Sequence, residues 1–181
     1  MADVLAEGLA QSGVGLAWGM PGGDSLPLVR AMADRGIRFV LVRDEASAGF
    51  AADATAQLTG GLGVCLATLG PGLTNLASGV VGCTLDRAPV LAFTSRYRTD
   101  RRNLYTHMMM AQEKVLEASG KAWFRLGAAH VGAELRKAVA VATAARPGAV
   151  WVEVPGEVAT ADTDDRVWPV HPAPAAVPAP L

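Results

Sequence analysis

Four apolar runs of strand length, residues 37–42, 63–68, 89–94 and 149–154, are separated by stretches with helical spacing, and this alternation constrains the fold most. Strands that are apolar at nearly every position need cover on both faces, and the intervening helices supply it. The expected class is therefore α/β, a three-layer α/β/α domain around a mainly parallel central sheet. Residues 2–12 carry Val4, Leu5 and Leu9 on one helical stripe that Gly13 stops. A short strand at 16–18 runs into GMPGG at 19–23, and Asp24 or Ser25 is placed to cap a helix bearing Leu26, Leu28, Val29 and Met32, which Gly36 closes. Residues 45–58 are alanine-rich and helix-compatible, and 71–85 begins with the proline suited to a first helical turn. Further along, 96–105 reads as a basic and polar surface loop, 108–116 as a short helix, 122–126 as a strand and 131–145 as a helix.

At 181 residues the chain suits one domain, expected over 1–158, followed by a Pro/Ala-rich tail or interdomain linker over 159–181. Sixteen basic against seventeen acidic residues produce no strong field, so charge points to neither nucleic acid nor an anionic membrane as partner. No apolar stretch reaches membrane-spanning length, and the acidic start ADVLAEGLAQSG lacks the basic region of a secretory signal, so a cytoplasmic location is expected. Cys65 and Cys83 sit in apolar segments and are expected to be reduced core thiols.

Chemistry concentrates at two junctions. Glu45 stands where an apolar strand gives way to a helix, and taken alone it is a first-turn carboxylate favoured by the helix dipole. LGPG at 69–72 is a glycine turn entering a second helix, yet no GKS or GKT follows, which argues against a nucleotide P-loop. The first strand lacks a full GxGxxG fingerprint, and no GxSxG nucleophile motif occurs. Three scattered histidines and no Cys/His cluster give no metal site, and Asp162, Asp164 and Asp165 lack the glycine hinge and closing glutamate of a calcium loop.

The block from Arg43 to Arg96, with RDEASAGF followed by LATLGPGLTN, resembles the pyrimidine-binding domain of thiamine-diphosphate enzymes of the acetolactate synthase and 2-oxo-acid decarboxylase type. The resemblance extends over roughly residues 2–155 by motif order. It implies that Glu45 hydrogen-bonds a ring nitrogen of the cofactor's aminopyrimidine and helps its amino group become the base that deprotonates the thiazolium carbon. A carboxyl held out of bulk water suits such proton sharing. Thr68, Gly70, Pro71, Gly72 and Asn75 match the GPGxxN turn that shapes the cofactor pocket, and Gly22 and Gly23 match the first glycine turn. Gln112 falls in the family's Phe-Gln-Glu segment, followed here by Glu113, with Ala111 in place of the aromatic residue; Lys121 matches a lysine before the next strand. His107 is a substrate or pocket candidate because an imidazole exchanges protons near neutral pH, although a lone loop histidine beside three methionines is more often a packing or solvent contact. The preceding residue is Asp44 where the family often has histidine, so a role of that histidine does not carry over.

The same resemblance implies an enzyme acting on a small 2-oxo acid by decarboxylation and possible carboligation, with thiamine diphosphate and Mg2+ as cofactors. The metal and diphosphate belong to a second domain whose GDG motif is not in this chain. That partner is either a separately encoded subunit, giving a hetero-oligomer with paired domains, or another part of a longer chain. The rival expectation is a non-catalytic interaction or scaffold subunit that retains the fold.

Overall fold

A computed structural model describes residues 1–101, 104 and 106–162. The chain folds as α1 (Ala2–Gln11), β1 (Leu16–Met20), α2 (Leu26–Asp34), β2 (Arg38–Leu41), α3 (Glu45–Thr59), β3 (Gly63–Ala67), α4 (Pro71–Leu85), β4 (Val90–Arg96), α5 (Gln112–Ser119), β5 (Ala122–Arg125), α6 (Val131–Thr143), β6 (Val150–Pro155) and α7 (Gly156–Thr160). Single 3-10 turns at Gly23–Ser25 and Thr99–Arg101 interrupt the connections. The six strands form one sheet in the order β2-β1-β3-β4-β6-β5, and every pairing is parallel.

Period-two alternation in the central strands feeds two separate cores. Val64, Leu66, Leu91, Phe93, Val150 and Val152 face the layer of α1, α2 and α6. Cys65, Ala67, Val90, Ala92 and Trp151 face the layer of α3, α4 and α5. The β3, β4 and β6 strands are buried at every position, whereas β2 and β5, at the sheet edges, are half covered. This is the three-layer α/β/α arrangement expected from the alternation of apolar runs.

Some boundaries differ from the sequence expectation. The β4 strand continues through Arg96, which is buried rather than part of a surface loop, because its guanidinium is paired inside the protein. The α5 helix begins at Gln112 and not near residue 108, since Met108 adopts a left-handed backbone (φ 57°) that a continuous helix does not accommodate. Arg102, Asn103 and Tyr105 of the expected loop, and residues 163–181 of the expected tail, lie outside the described residues. The described structure carries α7 to Thr160, and Ala161 O accepts a hydrogen bond from the Met1 ammonium at 2.7 Å. Both cysteines are free and buried.

Candidate functional site

The site lies at the carboxyl ends of β1 and β3. From β1 the chain turns toward the layer containing α2, and from the adjacent β3 it turns toward the layer containing α4, so the two connections diverge. Such a divergence opens a crevice in parallel sheets and is where ligands commonly bind.

Asp44, with an extended backbone, caps α3 by accepting the Ser47 N–H at 3.3 Å. The cap function therefore falls to Asp44, and Glu45 is free to turn inward; only 8 % of it is exposed. Its Oε2 accepts a hydrogen bond from Asn75 Nδ2 at 3.0 Å. Among the described residues, Oε1 accepts none. A Cβ on Gly72 would stand 3.3 Å from that oxygen and 2.7 Å from Thr68 Cγ2, so only a glycine there lets Thr68 and the carboxylate pack this closely against α4.

Thr68 joins the two glycine turns. Its methyl lies over Gly72, and its Oγ1 would be 2.4 Å from a Cβ on Gly22. The GMPGG turn is held by Ser25: the Gly22 N–H donates to Ser25 Oγ at 3.0 Å, and that hydroxyl donates to Gly22 O at 2.9 Å. Gly23 is exposed and begins the 3-10 turn. Gly70 precedes α4 with φ 63° and ψ −118°, a conformation for which glycine is suited, and Pro71 follows as the first helical residue.

The structure thus brings Glu45, Asn75, Gly72, Thr68, Gly22 and Gly70 together. Gln112 reaches them indirectly. Its Oε1 accepts the Gly70 N–H at 3.1 Å, while its Nε2 donates to Ser95 O at 3.3 Å and Glu153 Oε1 at 2.9 Å. His107 is exposed on the turn before Met108 and makes no hydrogen bond to this group. Lys121 is remote from it in function as well, donating to Val141 O at 2.6 Å near the end of α6.

Sequence reasoning missed a charged cluster behind the Gly70 turn. Glu153, fully buried on β6, receives Arg96 Nη1 at 2.8 Å and Arg125 Nε. Glu113 receives Arg96 Nη2 at 2.9 Å and Arg125 Nη2 at 2.7 Å. Burial alone would raise the Glu113 pKa, but a backbone hydrogen bond and the two guanidinium groups hold it below the usual range. An acid inside the apolar run 149–154 was the available signal. Among the described residues no cluster of three His, Cys, Asp or Glu side chains is placed to hold a metal ion, and no helix is long and apolar enough to cross a membrane.

Comparisons with known proteins agree on one family. Residues 1–118 match the family described as thiamine pyrophosphate enzyme, N-terminal TPP binding domain. The probable acetolactate synthase large subunit of Methanocaldococcus jannaschii is 30% identical over 178 residues, covering 93% of this chain and 29% of that protein. The chloroplastic acetolactate synthase of Arabidopsis thaliana is 33% identical over 162 residues, 87% of this chain and 24% of that protein. The acetolactate synthase large subunit of Corynebacterium glutamicum is 32% identical over 170 residues, 93% of this chain and 27% of that protein. This chain spans 24% to 29% of the length of these relatives.

Proposed function

The chain belongs to the thiamine pyrophosphate enzymes, matching their N-terminal TPP-binding domain, and from that premise we propose that it supplies the pyrimidine-facing half of an acetolactate synthase-like cofactor site. The observation that carries this is the Glu45 carboxylate, withdrawn from bulk water, anchored through one oxygen by Asn75 and with the other, near Gly72, accepting no hydrogen bond among the described residues. A carboxyl so placed fits a protonatable ring nitrogen: Oε1 is available to share a proton with it while Asn75 fixes the direction of approach.

When bound, thiamine diphosphate supplies the carbon nucleophile and electron sink that cleave the bond next to a 2-oxo acid's carbonyl. Glu45 holds or releases the proton at Oε1. Asn75 orients the carboxylate, and Thr68, packed against both Gly22 and Gly72, fixes the two glycine turns relative to each other. Gly70 and Pro71 set the direction of α4. Mg2+ and the diphosphate are assigned to a second domain, carried either by another subunit or elsewhere in a longer chain. Decarboxylation of a small 2-oxo acid, with or without joining to a second carbonyl compound, is the proposed reaction, and the cytoplasm the proposed location. His107 is retained as a candidate that meets substrate only once that second domain is in place.

Thiamine diphosphate binding with Mg2+ is to be measured for this protein alone and combined with a diphosphate-binding domain, with Glu45→Gln alongside. Binding confined to the combination, with turnover of a 2-oxo acid lost in Glu45→Gln while assembly persists, is expected. Unchanged turnover in that variant, or no cofactor binding by a verified assembly, would favour the scaffold alternative.

A further inference from the structure

The Gly70 N–H is fixed by a side chain from a distant part of the chain. Gly70 holds a backbone conformation that few other residues tolerate, and its N–H is directed at Gln112 Oε1 rather than into α4. Its carbonyl accepts the Thr74 N–H at 3.0 Å and so opens the helix on which Asn75 is the next residue. The orientation of the peptide joining Leu69 to Gly70 therefore sets where Gly72 and Asn75 lie relative to Glu45.

What decides the orientation of Gln112 is the chemistry on its other side. A side-chain amide offers a carbonyl at one end and an NH2 at the other, and a half-turn exchanges them. An ionised carboxylate only accepts, as does a backbone carbonyl, so Glu153 Oε1 at 2.9 Å and Ser95 O at 3.3 Å both admit the NH2 end alone and leave Gln112 Oε1 to face Gly70. The reverse orientation would set carbonyl against carboxylate and NH2 against N–H. Arg96 and Arg125 pin Glu153 by both oxygens, and Glu113 ties the two guanidinium groups together, giving a cluster of two positive and two negative side chains. The cluster is anchored on β4 and β6, where Thr94 pairs in register with Glu153.

We infer that Glu153 is a positioning residue for the cofactor site, holding the orientation of Gln112 through the shorter of its two Nε2 hydrogen bonds, the other going to Ser95 O, and through it the placement of the Gly70 turn that presents Gly72 and Asn75 to Glu45. It touches neither cofactor nor substrate. The inference rests on the proposed cofactor role of Glu45.

The test uses Glu153→Gln, which turns an obligate acceptor into an amide able to present either end, together with Gln112→Leu and the double variant. Glu153→Asp, which keeps the charge and withdraws it from Gln112 by one methylene, serves if Glu153→Gln does not fold. The first readout is hydrogen exchange of the Gly70 amide in the cofactor-free protein. Each single variant should accelerate it about tenfold or more relative to the amides in the middle of α4, and the double variant should add nothing further, because the two residues act in series. An unchanged Gly70 amide in the folded Glu153 variant, or effects that multiply in the double variant, would overturn the inference.

The second readout is exchange of the reactive ring proton of thiamine diphosphate at saturating cofactor in the assembled enzyme, with Glu45→Gln as control. The Glu153 variant should slow it about tenfold or more. If Glu45→Gln stops that exchange and the Glu153 variant leaves it at the wild-type rate, the positioning role is refuted while the cofactor role stands. If Glu45→Gln leaves it untouched, the cofactor role itself fails, whatever the Gly70 amide shows.

Discussion

Asn75 Nδ2 and Glu45 Oε2 are 3.0 Å apart, a contact between the first turn of α3 and the second turn of α4, two helices that follow different strands. Asn75 is itself exposed, so its amide holds a nearly buried carboxylate from the solvent side. Replacing it removes orientation without opening a core cavity. Asn75→Ala should leave the melting temperature close to wild type and lower turnover of the assembled enzyme by about 10- to 100-fold, the range of a lost hydrogen bond to a charged group. Steady-state rates and a thermal melt on the same preparation check both halves.

The two helices cross where neither has a side chain. A Cβ on Gly49 would stand 2.6 Å from Gly79 Cα, and one on Gly79 would stand 2.7 Å from Ala46 O. Backbone cannot yield as a flexible side chain can, so Gly49→Ala should cost about 1–3 kcal/mol of stability through overpacking. Urea denaturation should show a lower midpoint with an unchanged slope.

Asp53 is buried in α3, and burial raises its pKa; the Gln57 amide opposes the rise while neighbouring Asp86 adds to it. A carboxyl with a raised folded-state pKa binds its proton more tightly folded than unfolded. Stability therefore falls as pH rises from the ordinary aspartate value to the raised one, and the penalty is full above both. Asp53→Asn keeps an acceptor for Gln57 and removes that penalty. The variant should melt higher than wild type at neutral pH, and the difference should vanish as pH drops below 3.8, the ordinary value for the group. A series of melts between acid and neutral pH reads the sign directly.

Burial pushes the Cys83 thiol up to about 12, with the negative charge of Asp53 adding to the effect, and raises Cys65 well above its ordinary value. Thiolate is the reactive form, so neither sulfur should react readily in the native protein. Titration with a chromogenic disulfide should find essentially no fast thiols at neutral pH and two after denaturation.

The sheet was legible because its strands are apolar on both faces: Val64 and Leu66 serve one layer and Cys65 and Ala67 the other, and that double demand leaves a continuous run in the sequence. The Glu45 junction was legible for a related reason, since an acid directly after such a run must be either a cap or a functional group. Deciding between these required Asp44, whose extended backbone takes the cap. The Arg96–Glu153 pair was not legible. Arg96 opens a basic stretch and Glu153 interrupts an apolar one, and only the register of β4 against β6 sets them on the same face. Gln112 was found for its position, but its task is to hold Gly70.

The crossing of α3 and α4 has a further geometric consequence. Gly49 lies four residues after Glu45 and Gly79 four residues after Asn75, so each glycine sits about one helical turn below its polar partner on a similar face. The crossing is thus a fulcrum, with the proton-handling pair at the end of two short, matched arms. Widening it by the thickness of a methyl group would stretch the 3.0 Å contact between Asn75 and Glu45 beyond hydrogen-bond length. The span of that contact is gauged by two side chains that are not there.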